Sequence, residues 1–157
     1  MKRFYTEAEA AAQLDHPGIV PIFEVGEHHS QHYYSMGFVE GQSLANKIGR
    51  SPMEPSDACE LLISIAEAVE FAHEQGVIHR DLQPANVLLD LSGTPRVTDV
   101  GLAKCLNKES DLTATGQVLG TPSYMPPEQA AGQLRAIGPT SDVYSLGAIL
   151  YQLLTLT

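Results

Sequence analysis

His79-Arg80-Asp81-Leu82-Gln83-Pro84-Ala85-Asn86 is the stretch from which the rest of this sequence is read. It puts a carboxylate, a cation and a carboxamide within eight residues, between two apolar pairs, Val77-Ile78 before and Val87-Leu88 after. That pattern predicts a polar loop held at the surface of a core by short strands on either side. Asp81 in such a loop is a candidate base, and the oxygen of Asn86 is a candidate hard ligand for a cation.

Moving outward, Pro55-Ser56-Asp57 reads as a helix start, with Ser56 as cap and Asp57 at the positive end. Leu61, Leu62, Ile65, Val69 and Ala72 recur near the helical period, and Gly76 stops the helix just before Val77. On the other side, Ser92-Gly93-Thr94-Pro95 marks a hairpin turn. Two strands joined there bring Asp99 of Thr98-Asp99-Val100-Gly101 toward Asn86. One carboxylate and one carboxamide, completed by water and phosphate oxygens, suit Mg²⁺, which takes few protein ligands. Gly101 gives that segment backbone freedom.

Taken together, His79-Arg80-Asp81 with Asn86 five residues on, then Asp99-Val100-Gly101, resemble the catalytic and metal-binding loops of protein kinases. Gly120-Thr121-Pro122-Ser123-Tyr124-Met125-Pro126-Pro127-Glu128 is similar to the substrate-docking loop of the Ser/Thr branch, and the style of the segments to its bacterial members. The resemblance implies an α+β, protein-kinase-like fold that is partial, truncated at both ends. Residues 1–36 would be the remnant of an N-terminal lobe (helix C and two strands), 37–41 a hinge, and 42–157 an incomplete, mainly helical C-terminal lobe. It implies ATP and Mg²⁺ as cofactors and a protein Ser/Thr hydroxyl as acceptor. Asp81 would be the base, Gln83 would meet the transferred phosphoryl group, and Asn86 and Asp99 would hold the metal.

Glu7 would pair with an ATP-binding lysine, with Glu9 as its competitor. Met36 would guard the back of the nucleotide pocket, while Gly37, Val39 and Leu88 line it. Arg80 would receive a phosphate placed on Thr113 or Thr115. Thr121 would belong to the substrate loop, and His79, Glu128 and Asp142 would be structural, Asp142 bracing the catalytic-loop backbone.

Away from these motifs, residues 4–14 favour a helix ending before Asp15-His16-Pro17-Gly18, and Ile19–Val25 and His32–Val39 read as strands. Residues 41–55 read as a connector with one short helical piece. Thr140 or Ser141 would cap the last helix, in which Val143, Leu146, Ile149, Leu150, Leu153 and Leu154 cover most of the circumference. It should therefore be buried on nearly all sides, and with no partner bundle it should expose apolar surface.

Composition narrows the function classes. With 43% apolar residues in 157, the chain can bury one core. A net charge of −10 argues against nucleic acid and anionic membrane as partners. Cys59 and Cys105 are far apart and read as reduced thiols, and His28, His29 and His32 as solvated hairpin residues. The stretch 143–156 is too short and too polar to span a bilayer, so the chain itself is expected to be cytoplasmic, although bacterial kinases of this style are often joined to membrane or sensor segments.

Two residues depart from the family pattern: Gln83 stands where a lysine is usual and Val100 where a phenylalanine is. No Gly-rich phosphate loop and no lysine-bearing strand precede Glu7. A binding module of the pseudokinase kind, or an inert gene fragment, is therefore the competing reading.

Overall fold

The computed structural model describes residues 9–29, 31–49, 51–102 and 122–156. After a helical stretch at 9–12, two antiparallel strands, β1 (Ile22–His28) and β2 (Gln31–Met36), form a sheet of their own. A second sheet has the order β3-β4-β5, from β3 (Gly41–Ser43), β4 (Val87–Asp90) and β5 (Pro95–Val97). The helices are α1 (Leu44–Lys47), α2 (Pro55–Glu74), α3 (Pro127–Ala130) and α4 (Pro139–Thr155).

The core lies where α2 and α4 pack together beneath the second sheet. Leu44, Ile65, Leu82, Val87 and Ile149 are completely or almost completely buried there. The α2 face is Ala58, Ile65, Ala68, Val69 and Ala72, close to the apolar stripe of the sequence. A parallel bridge from Ile19 to Val97 fastens the segment before β1 to the edge of the second sheet.

Both ends of α2 are built from backbone chemistry. Pro55 occupies the first helical position and Glu54 the N-cap, with no side-chain cap; Ser56 instead donates to Asp57. At the other end the Val77 N–H donates to the Ala72 carbonyl and the Gly76 N–H to that of His73. Gly76 has φ +76°, so this is a Schellman closure. It turns the chain into Val77-Ile78, which belongs to neither sheet instead of forming the expected strand. Ser141 likewise does not cap α4: Gly138 is the N-cap, Pro139 the first residue, and the Ser141 hydroxyl accepts from the Gly138 N–H.

Three further expectations need correction. The first strand is shifted toward His28 and the second stops at Met36, because Pro21 and Gly37 bound the paired region. The connector after Gly41 contains β3, a strand too short to leave a periodic signal. The last helix buries only one face (Ser141, Asp142, Ser145, Leu146, Ile149, Leu153), leaving Val143, Tyr144 and Tyr151 exposed. The apolar circumference of α4 therefore exceeds what the described residues cover, as the expectation of exposed apolar surface required.

Gly41 is required by the pairing of β3 with β4, since an ideal Cβ there would fall 1.9 Å from the Leu89 carbonyl oxygen. Gly147, inside α4, has nothing within 4 Å of that position. The two glycines should respond to alanine with opposite signs. Gly41→Ala should destabilise by about 1–3 kcal/mol as the ladder shifts, and Gly147→Ala should stabilise by about 0.5–1 kcal/mol through helix propensity. Urea denaturation of both variants checks this, and like signs would contradict the packing described.

Candidate active site

The loop at 79–86 is held from below by a buried carboxylate. Asp142, in the first turn of α4, is 1% exposed. Its Oδ2 accepts from the His79 N–H at 2.9 Å, and its Oδ1 from the Arg80 N–H at 2.9 Å. His73 Nε2, from the last turn of α2, lies 2.7 Å from Oδ2. Buried charge is tolerated only when its acceptor sites are filled, and here two backbone amides and an imidazole fill them. Arg80 has φ +70°, a left-handed backbone that non-glycine residues adopt at a cost, so the amide pair holds a bend the chain would otherwise avoid.

The bend presents Asp81. The Gln83 Nε2 lies 3.1 Å from each carboxylate oxygen of Asp81. The Asn86 Nδ2 donates to the Asp81 carbonyl at 2.8 Å and reaches its Oδ2 at 3.3 Å. Asp81, Gln83 and Asn86 are all partly exposed, so the carboxylate is oriented yet open to a reactant.

A second bridge joins this loop to the Asp99 segment. The imidazole of His79, 1% exposed, accepts weakly at Nδ1 from the Asp81 N–H (3.4 Å) and has Nε2 3.1 Å from the Thr98 carbonyl. Those partners require a neutral ring protonated at Nε2. The Thr98 N–H in turn donates to the Asn86 carbonyl at 3.0 Å, continuing the β4–β5 register so that Asp99 comes one residue beyond Asn86's partner. Asp99 has φ +61°, and its Oδ1 accepts from the Tyr34 hydroxyl at 2.5 Å. Burial, and secondarily the bond to Asp99, push the Tyr34 phenol far above its usual range, so it remains a donor.

The structure thus brings together Asp81, Gln83, Asn86 and Asp99, with His79 and Asp142 beneath them. Met36 is 40% exposed at the end of β2, and its Sδ accepts from the Thr98 hydroxyl at 3.3 Å, so it is not simple core. The Gly37 N–H donates to the Pro21 carbonyl at 2.8 Å. Leu88 alternates with buried Val87 and Leu89 and so faces the opposite side of the second sheet from the core. Glu128 accepts from the Ser141 hydroxyl at 2.6 Å, a bond that lowers its carboxyl below the usual range. Glu9 is exposed. Glu7, Thr113, Thr115 and Thr121 lie outside the described residues.

Tyr34 and His73 went unread in the sequence. The two-residue spacing of Tyr34 and Met36, which gives both the same side of β2, was the available signal for the first. His73 continues the α2 face one turn beyond Val69, a weak signal at best.

The donor set fits magnesium. Among the described residues no group of three or more His, Cys, Asp and Glu could hold a metal ion. A carboxylate and a carboxamide are hard oxygen donors that suit a cation completed by water and phosphate. A crevice lined by Asp81, Gln83, Tyr124, Met125 and Gln129 sets the 122–129 segment beside the loop. A roomier groove of about 840 Å³, between the β4–β5 turn and α2, contains none of these site residues.

Comparison with known proteins agrees with this geometry. The sequence matches the protein kinase domain family over residues 1–157. It is 46% identical over 154 residues to the probable serine/threonine-protein kinase PknB of Lactococcus lactis, covering 98% of this chain and 24% of that protein. It is 40% identical over 156 residues to the serine/threonine-protein kinase PrkC of Bacillus subtilis, with 99% and 24% covered. Among solved structures, the PknI kinase domain of Mycobacterium tuberculosis superposes with a TM-score of 0.79 at 27% identity, covering 98% of this chain and 56% of that one. The chain therefore spans about a quarter of the length of the two kinases from Lactococcus lactis and Bacillus subtilis and just over half of the solved kinase domain. Among the described residues no helix is long and apolar enough to cross a membrane.

Two outcomes test the bracing of the loop. Asp142→Ala strands two N–H groups in the interior and should cost about 3–5 kcal/mol in urea denaturation. Burial lowers the His79 imidazole below its ordinary 6.5, against the smaller pull of Asp142. The unfolded chain then binds a proton that the folded chain refuses. Stability should be level above pH 6.5 and fall below it, by at most about 1.4 kcal/mol per unit for this one group. His79→Gln should flatten that slope in urea midpoints measured from pH 7.5 to 5.

Proposed function

We propose, from the premise that this chain belongs to the protein kinase domain family, that it supplies the catalytic loop and metal ligands of a Ser/Thr protein kinase. The reaction is transfer of the ATP γ-phosphoryl group to a protein hydroxyl. Residues 1–36 belong in this reading to the upper lobe, 37–41 to the hinge and 42–157 to the lower lobe. The observation that carries it is an open Asp81 carboxylate, aimed by Gln83 and Asn86 on a loop pinned at two amides by Asp142.

Asp81 orients the acceptor hydroxyl and takes its proton as the oxygen attacks. Asn86 would offer its carboxamide oxygen to magnesium, its Nδ2 being directed at Asp81. Asp99 would offer the carboxylate. Bound there, magnesium neutralises charge on the phosphates, the main service such a site gives to phosphoryl transfer. Met36, Gly37, Val39 and Leu88 bound the nucleotide. Glu7 holds the lysine that a kinase needs for its phosphates. Arg80 answers phosphate on Thr113 or Thr115, and Thr121 with the crevice beside Gln83 receives the substrate segment. We place the domain in the cytoplasm, where ATP is available and an exposed thiol such as Cys59 stays reduced. The negative overall charge favours a protein partner over nucleic acid.

A non-catalytic binding role is the second reading, and Gln83 favours it. Its neutral amide occupies Asp81 where a cation would also draw off phosphoryl charge. Kinetics decide between the two. With Mg-ATP and a generic Ser/Thr substrate, the full-length protein should phosphorylate, and Asp81→Asn should lower kcat by about 10²–10⁴-fold. Gln83→Lys should raise it about ten- to a hundred-fold, the equivalent of one charge-assisted bond of about 1.5–3 kcal/mol. Unchanged turnover in Asp81→Asn would remove Asp81 as the base. Absence of transfer in both wild type and Gln83→Lys would favour the binding role.

A further inference from the structure

β2 reaches the Asp99 segment through two residues on the same side of the strand. Met36 accepts from the Thr98 hydroxyl, and two positions earlier the Tyr34 hydroxyl donates to Asp99 Oδ1 at 2.5 Å. Tyr34 is half-buried and packs against buried Ala11 and Leu102, with Ile22 and Val25 beside it. The ring is thus packed among apolar neighbours, with its hydroxyl directed at Asp99. Asp99 needs such support, since its own backbone is left-handed at φ +61° and Gly101 follows at φ +74°.

We infer that Tyr34 is a positioning residue for the metal carboxylate, holding Asp99 by Oδ1 so that Oδ2 faces the cation. This rests on the proposed role of Asp99. A carboxylate offers about four acceptor directions over its two oxygens, and a phenol on one oxygen leaves the other for a cation. Metal-binding carboxylates are themselves hydrogen-bonded as a rule, and loss of such a partner weakens metal binding about 10- to 100-fold. The alternative chemistry, in which the phenol competes with the cation for Asp99, predicts the opposite sign.

The test measures Mn²⁺ binding to the full chain by relaxation enhancement of water protons, with no nucleotide present. Tyr34→Phe keeps the ring and its packing and should weaken Mn²⁺ binding about 10- to 100-fold. Tyr33→Phe is the control: Tyr33 is exposed and donates to Glu24, and its loss should leave binding unchanged. Asp99→Ala should abolish binding. If Asp99→Ala abolishes it while Tyr34→Phe matches or exceeds wild type, the positioning role is overturned and Asp99 stands as a ligand. Equal losses in Tyr33→Phe and Tyr34→Phe also overturn it. If wild type binds no Mn²⁺, or Asp99→Ala binds as well as wild type, the metal site falls and this inference with it.

Discussion

Everything at this site depends on one buried carboxylate. Asp142 brings a negative charge into the core at the start of α4, and that charge is tolerable only because the His79 and Arg80 amides and the His73 ring converge on it. The dependence is mutual. Without the carboxylate the two amides would be orphaned, and without the amides the loop would have no reason to take the left-handed turn at Arg80. Because α2 delivers His73 and α4 delivers Asp142, the helix pair that makes the core also fixes the loop. Stability and the direction of Asp81 are therefore set by the same contacts.

A second tie makes the arrangement rigid in the other direction. Asp142 fixes the loop to the helices, and His79 fixes it to the strand that ends in Asp99. The imidazole can do this only while neutral, since one nitrogen must accept and the other donate. Its burial, which disfavours the charged form, is therefore part of the geometry and not an incidental cost. The hairpin then repeats the connection at the backbone, through Thr98 and Asn86. Asp81 and Asn86 come from the loop and Asp99 from the segment after β5, but all three share one frame.

What could be read from the sequence followed from how local the cause was. The loop, the long helix, the hairpin at Ser92-Gly93-Thr94-Pro95 and the closeness of Asn86 to Asp99 all depend on short-range patterns. The β4–β5 hairpin also has a strong local turn, in which Asp90 accepts from the Ser92 and Thr94 amides. Helix ends were read wrongly where two local signals competed: Ser56 and Ser141 are good caps by type, but the prolines one and two residues earlier set the start. The face of α4 was over-read because its apolar residues were counted without knowing what covers them. Tyr34 and Asp99 are 65 residues apart, and nothing short of the fold itself joins them. The bracing by Asp142 came only from resemblance; from the residues alone it was an acidic residue in a first helical turn.

The two departures from the family pattern act on different terms. Val100 is 4% exposed and belongs to the main core, so the smaller side chain is enclosed by its neighbours. Any missing volume there is then first a matter of core packing and stability. Gln83 is the reverse case. Its amide grips both oxygens of Asp81, as a positioning group must, and in that respect the loop is complete. What an amide cannot provide is a full positive charge as charge develops on the transferred group. Orientation and charge neutralisation, which a lysine combines, are here separated: Gln83 keeps the first, and in the proposed reaction the second would fall to a cation held by Asn86 and Asp99. A site divided in this way would lean harder on its metal, and so on whatever holds Asp99 in place.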